Sequence, residues 1–274
     1  MNNRNEELSN FLKLKREQIK PEDVGFTASQ NRRSKGLRRE EVAILSNIST
    51  SWYTWVEQGK NINISDSVFQ SISKALKLTK DEKIYFFNLI RQEDSLLASD
   101  TNDSQLPNFV KNIVNEINNC PIIVFDRYCN ITYWNELAQS VFIDFDMIDE
   151  NKRNIIRLLF EKPEFKRLAL NWEKFVRQFM AMFRSYYVKN IKDNWYQKFI
   201  EEMSIEFPEF ERIWKEININ QTIESNIIFR HAKIGKLTFE MHTVHFEESD
   251  NFKCAIYIPS NIHDTKNKIT RLYN

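Results

Sequence analysis

Five cations, Arg32, Arg33, Lys35, Arg38 and Arg39, crowd the stretch from Ser29 to Arg39, which holds no acid. Cations in such a run neutralise phosphates and set the register of a protein on a nucleic acid. The plainer reading is a solvated basic loop. Just beyond them, Ser49, Thr50, Ser51, Thr54 and Trp55 bring hydroxyls and an indole. Hydroxyls bond several base edges or phosphates, so each specifies sequence weakly on its own. Trp55 cannot make a bidentate guanine contact; it either touches sugar or a thymine methyl, or faces away from DNA. His231, His242 and His245 raise the question of a metal site. On a strand, positions 242 and 245 point to opposite faces because their separation is odd. No HExxH, P-loop, GxSxG or cysteine cluster accompanies them, so a metal-dependent enzyme is the weaker reading, and no catalytic residue, metal or cofactor is expected. Cys120, Cys129 and Cys254 are odd in number and lack metal spacing, which fits small thiols in a reducing compartment.

The elements that must position these groups lie in residues 36–60. A first helix begins near Arg38 and is expected to bury Val42, Ala43 and Leu45. The turn Ser46-Asn47-Ile48-Ser49 puts an αL-tolerant Asn at its corner and a Ser in place to cap the next helix. That helix, Thr50 to Gln58, sets Trp52, Tyr53 and Val56 at helical spacing and stops at Gly59. Two short helices on such a turn form a helix-turn-helix, whose second helix fits the major groove; the alternative is an ordinary αα corner. Arg38 and Arg39, at the start of the first helix, are the expected backbone anchors, with Arg32, Arg33 and Lys35 assisting. Glu57 is read as structural, because an acid near phosphates is repulsive. A module this small rarely specifies enough sequence alone, so dimerisation onto half-sites about 34–36 Å apart is expected.

Around this motif, residues 6–19 place Leu8, Phe11, Leu12 and Ile19 at helical spacing. Ser65 and Asp66 can cap a helix carrying Val68, Phe69, Ile72, Ala75 and Leu76. Thr79 with Glu82 forms a capping box for another, whose core side is expected at Ile84, Phe87, Leu89 and Ile90. The spacing therefore predicts an all-α five-helix domain over residues 1–93. A polar, turn-rich linker follows over 94–106.

The second half, 107–274, changes character. Ile122 to Phe125 and Ile131 to Trp134 read as two strands around a turn at 126–130, and Asn135 can cap the helix carrying Leu137, Ala138, Val141 and Phe142. Residues 150–217 look mostly helical and aromatic, with Trp172, Phe175, Val176, Phe179, Phe183 and Tyr187 at helical spacing. Strand patterns return after 222: Leu237, Phe239 and Met241 alternate with polar residues, and Phe252, Cys254, Ile256 and Ile258 share one face. The pattern predicts an α+β domain, helices against an antiparallel sheet, arranged as in sensor domains of the PAS type.

At 274 residues the chain suits two domains, and 42% hydrophobic with 28% charged residues is ordinary for a soluble globular protein. The net charge of +1 averages the basic stretch against acids elsewhere. The start, MNNRNEELSN, has no apolar core of a secretory signal, and no apolar run nears the ~18–20 residues that span a membrane. A cytoplasmic, nucleoid-associated protein is expected, with no membrane partner.

With both halves described, the chain resembles a bacterial family, the XRE-type helix-turn-helix transcription regulators with a C-terminal MmyB-like ligand-binding domain. The N-terminal matches are Leu8 to Arg16, PEDVG at 21–25, GLRREEVAIL at 36–45 and EQGK at 57–60. The C-terminal ones are sparser: YWN at 133–135, Arg153-Asn154, Phe160 with Pro163, Trp172, Arg184, Trp214, and His231 with Ile234-Gly235. The resemblance implies a DNA-binding transcription regulator, a homodimer on double-stranded DNA, whose PAS-like domain holds an apolar or amphipathic, fatty-acid-like small molecule. Two departures stand out. Leu45-Ser46-Asn47 replaces the family's Leu-Ala-Gly at the turn, and Trp55 replaces a basic residue in the recognition helix, so a target site carried over from relatives does not follow. Trp55 also keeps open an adaptor that binds a protein partner and retains only a vestigial DNA-binding domain.

Pockets of this fold class are apolar with a few convergent polar groups. The candidates here are Trp134, Phe160, Trp172, Phe179 and Phe183 as walls and Asn135, Arg153, Asn154 and Arg184 as polar anchors. The structural alternatives are explicit. The aromatic helix can be plain core, Asn154 can cap the helix holding Ile155, Ile156 and Leu158, and Arg184 can pair with a protein acid or cover the core with its stem.

Overall fold

A computed structural model describes residues 3–27, 36–60, 63–90, 105–216, 226–246 and 249–272. Arg32, Arg33 and Lys35 lie outside the described residues, as does most of the expected linker, 94–104. The chain divides into two compact units, one built mainly from residues 1–98 and the other mainly from 99–274.

The first unit is all helix: α1 (Asn3–Gln18), α2 (Arg39–Ser46), α3 (Thr50–Glu57), α4 (Asp66–Ala75) and α5 (Lys80–Ile90). The capping residues act as expected. Ser65 Oγ accepts from Val68 N, and Thr79 and Glu82 exchange backbone-to-side-chain bonds at the start of α5. α1 packs against α3 and α5, and the Phe11 ring meets Tyr85 at 5.1 Å and Phe86 at 6.3 Å. Two helical faces are rotated from expectation. In α2, Ser46 is buried beside Val42 and Ala43, while Leu45 is 36% exposed. A step of four residues returns to the same side of a helix more closely than a step of three, and Ser46 sits four after Val42. In α5 the buried set is Glu82, Tyr85, Phe86 and Leu89, with Ile84 exposed. Glu82 Oε1 accepts from Lys15 Nζ at 2.5 Å, so the cap residue is also tied to α1.

The second unit begins with α6 (Asn108–Glu116), whose Val110 and Val114 are buried together with Leu106, the last residue of the expected linker. Next come β1 (Ile122–Asp126), β2 (Ile131–Trp134) and α7 (Glu136–Val141), then α8 (Ile155–Glu161), α9 (Pro163–Leu168), α10 (Trp172–Lys189), α11 (Asn194–Glu206) and α12 (Pro208–Lys215). The chain closes with β3 (Asn226–His231), β4 (Gly235–Phe246), β5 (Ser249–Pro259) and α13 (Thr265–Thr270). The strands form one antiparallel sheet in the order β2-β1-β5-β4-β3, the α+β arrangement expected. The β1–β2 turn is held by Asp126, whose carboxylate accepts from Tyr128 N, Asn130 N and Asn130 Nδ2 at 2.8–2.9 Å.

The two faces of the sheet differ. Leu237, Phe239 and Met241 share the inner face with Tyr257 and Phe229, all buried. Phe229 is the hub there, with Phe142 at 5.4 Å, Phe175 at 5.3 Å, Phe239 at 5.7 Å and Tyr257 at 6.1 Å. On the outer face α6 covers Ile122, Val124, Phe252 and Cys254. Burial pushes the Cys254 thiol up to about 12 and the Cys129 thiol well above its usual value, as suits inert buried cysteines.

Candidate nucleic-acid interface and ligand-domain interior

α2 starts where Glu41 Oε2 accepts from Arg38 N at 2.6 Å, and it ends at Asn47 in the αL conformation (φ 54°). Ser49 Oγ then accepts from Trp52 N at 3.2 Å and caps α3. Gly59 follows α3 with φ 66°, and a Cβ there would fall 2.2 Å from Asn5 O. Conformation and the close approach of α1 therefore both demand glycine. The turn and capping signals read from the sequence at this motif, Asn47, Ser49 and Gly59, are present.

Glu57 is 1% exposed, and its carboxylate is gripped from two sides. Arg16 Nε donates to Oε2 at 2.6 Å, and Arg39 Nε donates to Oε1 at 2.8 Å. Arg16 also donates to Leu37 O, tying α1 to the approach to α2. Burial alone would raise the Glu57 carboxyl, but the hydrogen bonds and charges of Arg16 and then Arg39 outweigh it and hold it below its usual range. Arg39, with its side chain 44% exposed, thus reaches the surface from a fixed base. Spacing could not reveal this clamp, because its members lie far apart in the chain.

On the outer side of α3, Ser49, Thr50, Ser51 and Trp55 are exposed and Thr54 is half-buried. Thr54 Oγ1 donates to Thr50 O at 2.7 Å, so its proton is engaged while its lone pairs remain outward. Lys60 Nζ lies 5.6 Å from the centre of the Trp55 ring, placing a cation beside the indole. An open hollow of about 380 Å³ is lined by Ile48, Ser49, Trp52, Asn63, Ser65 and Val68. It brings Asn63 and the cap of α4 beside the start of α3, a neighbourhood that spacing did not single out.

The candidate ligand residues fall into separate groups. Trp134, at the end of β2, lies 5.2 Å from the Phe145 ring and 5.2 Å from the Arg153 guanidinium, which donates to Ile148 O. Asn135 accepts from Ile122 N and Ala138 N and donates to Ile117 O and Cys120 O. Asn154 accepts from Ile156 N and Arg157 N and donates to Tyr128 O and Asn130 Oδ1. Both amides have their hydrogen-bonding capacity filled by the chain itself. In this arrangement they act as caps and clasps.

Phe160 and Trp172 meet at 5.5 Å, and Phe160 continues to Phe210 at 5.5 Å. Phe210 stacks on Trp214, which meets Phe183 at 5.8 Å. Arg184 lies 3.7 Å from the Trp214 ring centre and donates to Trp214 O. Four candidates thus join through two α12 rings that were not counted among them. Phe179 stands apart, at 5.2 Å from Phe175 near the sheet.

Among the described residues no group of His, Cys, Asp or Glu is placed to hold a metal ion, and no helix is long and apolar enough to cross a membrane. A capped helix pair with a polar outer face, followed by a sheet-and-helix unit lined with aromatic residues, defines the class: a DNA-binding transcription regulator carrying a ligand-binding domain. Residues 23–83 match the description "Helix-turn-helix domain", and residues 106–272 match "MmyB-like transcription regulator ligand binding domain". The second match spans more than half of the chain, which therefore belongs to the MmyB-like transcription regulator family. Comparison with curated proteins gives no match.

Proposed function

We propose that this protein is a sequence-specific regulator that binds DNA as a homodimer and senses an apolar or amphipathic, fatty-acid-like molecule in its C-terminal domain. The observation that supports DNA reading most directly is the Glu57 clamp, which ties Arg39, at the start of α2, to the last residue of α3, the helix that carries the exposed hydroxyls. Arg38 and Arg39 neutralise backbone phosphates, with Arg32, Arg33 and Lys35 adding charge. Ser49, Thr50, Ser51, Thr54 and Trp55 face the groove, and Trp55 supplies apolar contact to a thymine methyl or sugar.

Trp134, the ring series Phe160, Trp172 and Phe183 and the separate Phe179 supply apolar walls, and Arg153 and Arg184 supply polar anchors. Residues 1–93 act as the reading domain and 107–274 as the sensing domain, in the cytoplasm at the nucleoid. A ligand shifts regulation only to the extent that it favours one dimer geometry over another.

The test is binding to a duplex from upstream of the protein's own gene, titrated with salt against random competitor. Wild type should bind in the competitor's presence, and the Arg38→Ala/Arg39→Ala variant should weaken binding and flatten the log–log salt slope by about 2. Equal affinity for own and random DNA would favour the adaptor instead. Solvent extraction of the purified protein, followed by mass spectrometry, tests for a retained lipid-like molecule.

A further inference from the structure

The end of α3 is closed by both bonds of a Schellman motif. Gly59, left-handed and pressed against Asn5 O of α1, turns the chain back on itself. Gly59 N donates to Val56 O at 2.9 Å, and Lys60 N donates to Trp55 O at 3.0 Å. These bonds hold the Lys60 backbone beside Trp55, and the side chain follows, with Nζ over the indole at 5.6 Å from its centre. Two exposed residues are thereby fixed against each other by the way the helix ends. Tyr53, Val56 and Glu57 turn inward from α3, so Ser51 and Trp55, one turn apart, run along its outer side with Thr54 beside them. Trp55, 45% exposed, brings a large apolar group to that side.

We propose that Trp55 and Lys60 act as one reading unit. The indole packs on the C5-methyl of a thymine in each half-site, and the Lys60 ammonium neutralises a phosphate next to that base. The inference rests on the DNA-binding reading above and narrows the contact of Trp55 to a single base. At 1.5 Å per residue α3 is about 12 Å long, the width of the major groove, so both of its turns fit inside. Its outer side then meets base edges, where the thymine methyl is the apolar group on offer. An indole laid against it removes that methyl from water, whereas the hydroxyls of Ser51 and Thr54 accept several bases. Charge supports the same pairing. The unpaired carbonyls at the C-terminal end of a helix carry partial negative charge, which repels phosphate, and Lys60 sets a cation there. Finally, the lysine over the ring restrains the indole before DNA arrives, so less side-chain freedom is lost on binding.

The experiment uses the duplex that the full-length protein enriches from a random library, remade with deoxyuridine in place of each thymine in turn, which removes only the methyl. Wild type should lose affinity at one thymine per half-site, about fourfold for one methyl and on the order of 15-fold when both half-sites are changed. Trp55→Ala should bind the thymine and deoxyuridine duplexes alike. Lys60→Ala should lower the log–log salt slope by about 1 per copy and shrink the thymine preference, and Lys60→Arg should restore both. Both positions are exposed, so each variant should keep the wild-type circular dichroism spectrum. A wild type indifferent to every methyl, or a preference that survives Trp55→Ala, overturns the proposal, while the enriched site keeps the DNA-binding reading standing. A slope and a preference both untouched by Lys60→Ala overturn the pairing of the two residues. No enriched site at all overturns the proposal and the DNA-binding reading together.

Discussion

In the N-terminal unit one carboxylate, Glu57, joins Arg16 and Arg39 through hydrogen bonds of 2.6 and 2.8 Å, while in the second unit Phe229 joins four other rings at 5.3–6.1 Å through faces and edges. The first kind of contact is short, charge-assisted and directional, so it fixes where a side chain emerges. The second kind is a sum of many weak, tolerant contacts, each pair worth about 0.5–1.5 kcal/mol beyond its buried area. A surface that must match a rigid duplex needs the first. An interior that must close around a ligand is better served by the second, because rings can repack where an ion pair cannot be half-made. The same chain therefore places its rigidity and its adaptability in different units.

Breaking each hub separately sharpens that contrast. The largest effect is expected from Phe229→Ala, which deletes a fully buried ring at the centre of the inner sheet face. It should cost about 3–5 kcal/mol, seen in urea unfolding as an earlier transition in the second unit, with DNA affinity kept by the folded protein. Glu57→Gln should cost about 3 kcal/mol in the first unit, because it leaves the buried Arg16 cation without its anion. The Arg39 arm adds little to stability, since that side chain is 44% exposed. Its loss should instead appear as weaker DNA binding under conditions where the variant is still folded.

The two units should also answer acid with opposite signs. The Glu57 carboxyl is held below its usual value of 4.5, so its contribution is present above that pH and is lost as pH falls through the lower folded value. Burial raises the Asp126 carboxyl above its usual 3.8 against the opposing bonds from Asn130 and Tyr128. Its contribution is present below that value and is lost as pH rises through the folded one. Thermal melts between pH 3 and 6 check this: Glu57→Gln should blunt the acid loss in the first unit, and Asp126→Asn should remove the opposite slope in the second. The smallest effect is expected at Ser49→Ala, about 1 kcal/mol for a lost helix cap, measured by urea unfolding of the first unit.

Local chemistry was legible in the sequence wherever a residue acts on its own neighbours. Asn47 at the turn, Ser49 and Asn135 as caps, and the alternation of Leu237, Phe239 and Met241 all appear as read. What spacing could not supply was which face a partner covers. Ile258 continues the pattern of Phe252 and Cys254, yet it is exposed because α6 does not reach it. Leu45 and Ile84 fail for a related reason, since in a short helix one extra apolar residue leaves the phase of the stripe ambiguous. Asn154 shows a third limit. Its cap bonds are local, but the bonds that fill its remaining capacity go to Tyr128 and Asn130, which only the fold brings near.

The most direct test of the central claim is selection of bound sequences from a random duplex library by the full-length protein at physiological salt. The account predicts enrichment of a single palindromic site, its half-sites separated by one helical turn or a multiple of it, and loss of that enrichment with Arg38→Ala/Arg39→Ala. A recovered pool no different from the input, from protein shown to be folded and dimeric, would contradict it.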